Sequence, residues 1–380
     1  MTKHRKILFA TIIGHGLVHS ITMVFPAIMV ILRDEFSISL IHLGELATIQ
    51  FAFFGLSAVP AGLLVDKLGS KSVLLIYFSG LILSVAVITF GHTPLSLGFG
   101  LGLLGASSGL YHPAGLKLIS HTKNISQNMG YHGISGSIGL SIGPLIGGVF
   151  SGIFNWKIPY FILAVVALIG GIYTLTQIES RKRSSKIATS LHEKFELKRS
   201  HYLIFGVAAL WGFTHHGLFN FLPLYYADSI KWGGDAAIRG GVLTAFVLLL
   251  GTIGQIVGGK IGSIYPREKL LVWVVALNIP FLLLMGISNG ISLLIVTGIL
   301  GAVNFTYQPV NNSLLSDMTL PANRGLVYGL SSGLGFGVGS FATTMGGFIG
   351  EKFELSYIFP LLSIVLIPAV VLSYLIHIED

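Results

Sequence analysis

Apolar residues run for about 20 positions at a time along most of this chain, and short charged clusters separate the runs. About 20 residues of α-helix cross the roughly 30 Å of hydrocarbon in a bilayer, so each run predicts one membrane-spanning helix. Twelve are predicted, over 7–32, 40–64, 73–91, 95–120, 128–152, 157–178, 201–227, 237–260, 269–288, 291–317, 323–350 and 355–377. Prolines interrupt several of them. Pro26, Pro113, Pro223 and Pro309 fall in runs one, four, seven and ten, while Pro60, Pro144, Pro280, Pro360 and Pro368 lie in other runs. Each removes a backbone hydrogen bond, and bare carbonyls are tolerated at membrane depth only where the helix faces protein or a wet cavity. Polar residues stand on the same four runs: His15 and His19; Tyr111 and His112; His215, His216 and Asn220; Asn304, Tyr307, Gln308 and Asn311. These four helices are expected to line a solvated central pathway.

The pattern also repeats. Gly105 to Ser120 (GASSGLYHPAGLKLIS) returns 196 residues later as Gly301 to Ser316 (GAVNFTYQPVNNSLLS). Tyr111 falls on Tyr307, His112 on Gln308, Pro113 on Pro309 and His19 on His215, while Gly133, Gly139 and Gly143 fall on Gly329, Gly335 and Gly339. Two equivalent halves meeting at a midplane site is how secondary transporters are built. The polar stretch Glu179 to Ser200 divides six runs from six, giving an N-terminal bundle over 1–178, a linker over 179–200 and a C-terminal bundle over 201–380.

Composition supports this reading. Apolar residues make up 53% of the 380 and charged residues 10%, against roughly 25% charged in a soluble domain. The 49 glycines concentrate in runs five and eleven, where small residues let helix backbones approach closely. Cysteine is absent, which excludes disulfide and thiolate chemistry. The N-terminus lacks a cleavage site and is read as the first membrane helix, uncleaved. The net charge of +8 taken alone would suit a nucleic-acid partner, but its placement does not. With the N-terminus inside, 18 of the 23 basic residues fall on the inner side and 5 on the outer. That is the positive-inside bias, and it puts both termini in the cytoplasm of an inner or plasma membrane.

Between runs two and three, Gly62-Leu-Leu-Val-Asp66-Lys67-Leu-Gly69-Ser70-Lys71-Ser-Val-Leu74 resembles the G-x-L-x-D-R/K-x-G-R-K/R-x-x-L loop of the major facilitator superfamily. The resemblance extends along the whole chain. It implies an all-α membrane fold of twelve transmembrane helices in two pseudo-symmetric six-helix bundles, working by alternating access. Ser70 stands where a base is usual, and the second-half counterpart, Gly258 to Leu270, has Gly262 in place of Asp66. By the resemblance, Gly62, Asp66, Lys67, Gly69 and Lys71 form a gating loop. Its acid docks on the N-terminus of the eleventh helix, near Pro321 to Gly325, with Arg324 as a partner. Gly139, Gly143, Pro144 and Gly147 resemble the G-x-x-x-G-P signature common among exporters of the superfamily, a helix-packing face. The arginine that drug–proton antiporters carry in their fourth helix is missing from Leu95 to Ser120. Ser107-Ser-Gly-Leu-Tyr111-His112-Pro113, Gly14-His15 and Gln50 are most similar to the fosmidomycin-resistance exporters. Where those often place an acid four residues after the first histidine, this chain has His19.

Ionisable groups within a bilayer are costly and default to functional candidates. His19, Glu45, His112, His132 and His215 are the expected proton-coupling and substrate residues, since imidazole titrates near neutral pH and a buried glutamate can be raised towards it. His15, Gln50, Tyr111, Asn220, Asn304, Tyr307, Gln308 and Asn311 are the expected lining. His15 and His19, four apart on one helix face, with His112 added, form an alternative metal-binding set. No phosphate-binding loop followed by Lys-Ser/Thr is present, which argues against ATP drive, and no nucleophile motif supports an enzyme. No resident cofactor and no nucleic-acid partner are expected, and the chain is expected to act as a monomer. The expected function is proton-coupled export of a small polar or anionic compound. The alternative is movement of a transition metal, metal chelate or organic anion through the same fold.

Overall fold

The computed structural model describes residues 2–123, 125–179, 197–320 and 323–376. Residues 180–196 of the linker predicted over 179–200 therefore fall outside the described residues, as does Pro321.

The described residues are almost entirely helical. The first span is α1 (Lys3–Thr22) followed after one residue by α2 (Val24–Phe36), then come α3 (Leu40–Leu68) and α4 (Ser70–Phe90). The fourth span is α5 (Pro94–Gly109) with α6 (Tyr111–Ile119), followed by α7 (Ile125–Ile153) and α8 (Ile158–Gln177). The second half runs α9 (Arg199–Ser229), α10 (Ala236–Ile261), α11 (Arg267–Ile287), α12 (Gly290–Phe305) with α13 (Tyr307–Asp317), α14 (Arg324–Lys352) and α15 (Ile358–Tyr374). Among the described residues, ten segments are long and apolar enough to cross a membrane. The α5–α6 pair, broken at Leu110, and α14, diluted by glycine and serine, complete the twelve. Several helices outrun their apolar stretch, because a helix already wound in lipid can extend by further turns whose end groups water satisfies. α3, for instance, continues to Leu68 through Asp66 and Lys67.

The repeat appears in the local structure. The breaks at Leu110 and Thr306 are 196 residues apart. So are the N-caps of the helices leading into them, where Ser96 Oγ accepts from the Thr93 N–H at 3.1 Å and Ser292 Oγ from the Asn289 N–H at 3.2 Å. The α1–α2 break has no mate, since α9 runs unbroken through Pro223. At that first break Pro26 has no N–H to offer the carbonyl of Thr22, four residues back. The Gln50 Nε2 donates to Thr22 O at 2.9 Å instead. Gln50 is fully buried, so Gln50→Leu leaves an orphaned carbonyl, a cost of about 1–3 kcal/mol. A lower midpoint of thermal unfolding in detergent is the expected readout, and an unchanged midpoint would contradict this role.

Helices α3 with α14, and α7 with α10, form most of the contact between the two bundles, and α2 adds to it against α9 and α10. Call the end carrying Asp66, Lys117, Arg267 and Arg324 the basic end. At the opposite end the bundles are closed. The Leu40 N–H donates to Glu351 at 2.8 Å, Arg33 lies 3.5 Å from Asp228, and Thr48 Oγ1 lies within 3.0 Å of Ser340 O and of the Thr343 and Thr344 hydroxyls. Glycine permits this approach: a Cβ on Gly44 would sit 2.2 Å from Thr343 O, and one on Gly241 would sit 2.4 Å from Pro144 O. Towards the basic end the helices part. Added carbons on Gly62, Gly130, Gly133, Gly325 and Gly329 would meet nothing within 4 Å. Among the described residues, the ion pairs at this end stay within one bundle, Lys117 with Asp66 and Arg267 with Asp317. Lys3 bonds Glu179 across the ends of α1 and α8, and its ammonium holds that carboxyl below the usual range.

Candidate substrate and coupling site

Where α1, the α5–α6 break and α7 meet, four imidazoles pack together. His15 and His132 stack with ring centroids 3.8 Å apart and 9° between planes, and Tyr111 stacks on His15 at 5.6 Å. His19 and His112 stand edge-on to His15 at 4.9 and 5.2 Å, and 5.4 Å from each other. Local sequence builds this arrangement. The 3.6-residue period puts His15 and His19 on one face of α1. The turn at Leu110, whose N–H bonds back to Ser107 O, opens α6 just before His112. Gly136 leaves room on α7 for the His15 ring, since a Cβ there would lie 2.4 Å from it. Tyr111 donates to Thr11 O at 2.5 Å, anchoring the start of α6 to α1.

Hydrogen bonding orients the rings. His15 Nδ1 lies 2.6 Å from His132 O. A carbonyl only accepts, so Nδ1 carries the proton, and in the neutral ring Nε2 keeps its lone pair. His19 Nε2 is 3.2 Å from that lone pair and donates to it. His15 and His132 are buried, whereas His19 and His112 are half-exposed. His132 Nε2 is buried with no hydrogen-bond partner among the described residues.

The other bundle keeps the geometry and changes the chemistry. Trp211 and Tyr307, repeat mates of His15 and Tyr111, stack at 4.2 Å and 13°. His19 is matched by His215, also half-exposed, but His112 is matched by Gln308 and His132 by Tyr328. His215 Nδ1 donates to Asn304 Oδ1 at 3.1 Å, and Asn304 Nδ2 donates to Asn278 Oδ1 at 3.2 Å. Between the bundles, Phe51 packs on His216 at 4.4 Å and Phe54 stacks on Phe336 at 4.2 Å, with His112 next to Phe54 at 6.0 Å. Ser137 donates to Gln255, which donates to Gln308 at 2.9 Å.

The candidates from sequence separate into groups. His15, His19, His112, His132 and Tyr111 come together, and so do His215 and Asn304. Tyr307 donates to Asn311 within its own bundle at 3.1 Å, and Asn220 donates to His216 O at 3.0 Å. Gln50 supports the first helix break and does not reach the imidazoles. Glu45 lies elsewhere. It is exposed on α3, on an apolar groove of about 630 Å³ that also takes in His42, Ile49, Phe53, Leu95 and Phe99. Asp66 pairs with Lys117, while Arg324 donates to Ser316 O at 2.9 Å and Thr319 O at 3.2 Å, so the loop acid is not on α14 in this arrangement. Gly139, Gly143 and Gly147 pack on α1 and α2, and Pro144 on α10. Phe51, Phe54, Phe336, Gln255 and Asn278 are absent from the candidates drawn from sequence. Gln255 and Asn278 were findable as lone amides in apolar runs, but the phenylalanines look like ordinary lipid-facing residues.

Comparison with known proteins agrees with this architecture. The profile of the Major Facilitator Superfamily matches residues 11–344. The chain is 24% identical to the multidrug resistance protein MdtG of Proteus mirabilis (strain HI4320), over 86% of this chain and 83% of that one. It is also 24% identical to the fosmidomycin resistance protein of Escherichia coli (strain K12), over 93% of this chain and 88% of that one. Among solved structures, it overlays the inward-facing, occupied conformation of a bacterial homologue of the human lysosomal transporter Spinster. That match has a TM-score of 0.80 at 13% identity, over 99% of this chain and 97% of that one. The unoccupied form of the same protein gives 0.77. Two six-helix bundles, paired breaks at Leu110 and Thr306 and the profile match together make this chain a multi-pass membrane transporter, not an enzyme, and a member of the Major Facilitator Superfamily.

Proposed function

We propose that the chain is a proton-coupled secondary transporter that exports a small polar compound by alternating access of two bundles, residues 1–178 and 201–380. One observation carries this reading. The bundles are sealed at one end and parted at the other, and the half-exposed rings of His19, His112 and His215 stand between. With both termini in the cytoplasm, as the basic residues favour, the open end faces inward and the cavity loads from the cytoplasm. Neutral imidazoles and the Asn304–Asn278 pair then offer hydrogen bonds to the compound. After the bundles rock, protons arriving from outside convert ring acceptors to donors and expel it. The names of the two drug-resistance relatives support export. Glu45, exposed on the outer wall of its bundle, is given no part in this relay.

Export by exchange requires protonation to weaken substrate binding. An organic anion would do the reverse, because among the described residues no lysine or arginine is in contact with the rings. It would bind the charged cluster and travel with protons. Proteoliposomes with an imposed pH gradient, tested against fosmidomycin and a panel of polar drugs, separate the two. Accumulation against the proton flow supports exchange. Movement with the protons supports the anion reading, and no dependence on the gradient overturns proton coupling.

The gating loop gives a further prediction. In the open arrangement Asp66 pairs with Lys117 at the surface, a contact worth about 0–1 kcal/mol. In the opposite arrangement we place Asp66 at the N-terminus of α14, where a carboxylate gains about 0.3–1 kcal/mol, or ~2 when partly buried. Asp66→Asn is expected to leave the thermal midpoint almost unmoved and to slow transport several-fold. Unchanged cycling would remove the docking role.

A further inference from the structure

We propose that His15, His19 and His112 form a binding site for a divalent transition-metal ion of the zinc class. The ligand atoms of the three side chains all lie within 4.8 Å of one another. One edge of this triangle, Nε2 of His15 to Nε2 of His19, is 3.2 Å. Two nitrogens about 2.05 Å from a tetrahedral zinc stand about 3.3 Å apart. The first two ligands are therefore already at chelating separation, one helical turn apart on α1, and binding requires only that the His19 proton pass from Nε2 to Nδ1. His112 supplies the third from the start of α6, and no hydrogen bond among the described residues ties its ring elsewhere.

The surroundings of His15 match what a metal ligand needs. A metal-bound imidazole usually donates its second nitrogen to a carbonyl or carboxylate, which fixes the tautomer and the plane of the ring. His15 Nδ1 donates to His132 O at 2.6 Å, so its Nε2 lone pair faces His19. The stacked rings of His132 and Tyr111 hold that plane from α7 and α6.

Donor chemistry selects the ion. Three neutral imidazoles favour Zn²⁺, Ni²⁺ or Cu²⁺ over the oxygen-seeking Mg²⁺ and Ca²⁺. His19 and His112 are half-exposed, which gives the ion entry from the crevice and leaves a fourth position for water or a donor atom of the cargo. The other bundle offers no second copy, because the mates of the three histidines are Trp211, His215 and Gln308. One ion binds per chain, and it occupies the nitrogens that protons would otherwise use. The site stands on the geometry of the cluster alone, whichever compound the protein moves.

The test uses the full-length chain, free of any affinity tag, purified in detergent, stripped of metal and titrated with Co²⁺ and then Zn²⁺. The expected result is one Co²⁺ per chain with the strong visible absorption of a four-coordinate ion, displaced by Zn²⁺. His19→Gln and His112→Gln should each weaken binding beyond the roughly 10–100-fold carried by outer partners, while keeping the wild-type thermal midpoint in metal-free buffer. His215→Gln should bind like wild type. Absence of one-to-one binding, wild-type affinity in both His19→Gln and His112→Gln, or an equal loss in His215→Gln would overturn the site. Transport driven by a pH gradient is measured separately in chelator. A failure there counts against proton coupling alone, and a failed cobalt spectrum counts against the metal site alone.

Discussion

His112→Gln is expected to uncouple transport from the proton gradient while leaving the protein folded. Gln308 occupies the equivalent position in the second half, so the scaffold already accepts glutamine after such a break. Glutamine keeps hydrogen-bonding capacity close to that of the imidazole and cannot take up a proton. Coupling between two ligands is typically about 1–3 kcal/mol, a factor of ~5–150. Substrate accumulation under an imposed pH gradient should fall by a factor in that range, measured in chelator so that bound metal plays no part. Exchange of labelled for unlabelled substrate at equal pH should continue, because alternation of the bundles does not itself need the ring. Gradient-driven accumulation at the wild-type level would remove His112 from the relay.

Gly44→Val should drive the protein out of the arrangement described here. A Cβ at Gly44 would lie 2.2 Å from Thr343 O and 3.1 Å from Thr344 Cα, both backbone atoms that cannot turn aside. The helices must separate, which also breaks the Thr343 hydroxyl bond to Gly44 O and the Thr48 contacts beside it. Overpacking of this kind costs about 1–3 kcal/mol. That cost falls on the state sealed at the Gly44 end, so the population moves towards the state closed at the basic end. The absence of cysteine provides a clean background for reading this. Gly329→Cys, placed where an added carbon meets nothing within 4 Å, should react with a water-soluble maleimide in the parent and be protected once Gly44→Val is added. Gly62→Val, on the same helix with open space around it, should leave labelling unchanged. Equal labelling in all three would show that the α3–α14 seam does not set the conformation.

The candidate site was only partly legible in the sequence. His15 and His19 could be paired from their spacing, and His112 could be placed beside a break because Pro113 follows it. His132 belongs to the cluster through the crossing of α7 over α1, which no local pattern encodes. Glu45 had the signature of a buried acid, since it stands in an apolar run, but the angle of α3 turns it outward. Periodicity shows which residues share a helix face and leaves open whether that face meets a partner, the crevice or lipid. The aromatic contacts Phe51–His216 and Phe54–Phe336 were hidden for the same reason, because apolar rings suit all three surroundings.

Taken alone, the amino-acid order determined that this is a membrane protein, how many times it crosses, that it is built twice over and where its fourth and tenth spans break. Each of these follows from local constraints: the length of a helix that hides its backbone from lipid, the missing N–H of proline and the recurrence of like residues at one offset. Only the tertiary structure decided which end is open, which imidazoles converge and which way Asp66 turns. Those depend on small free-energy differences between alternative packings of the same helices. Backbone-to-backbone glycine contacts at one end tip that balance, and a linear pattern carries no term for contacts between residues hundreds of positions apart.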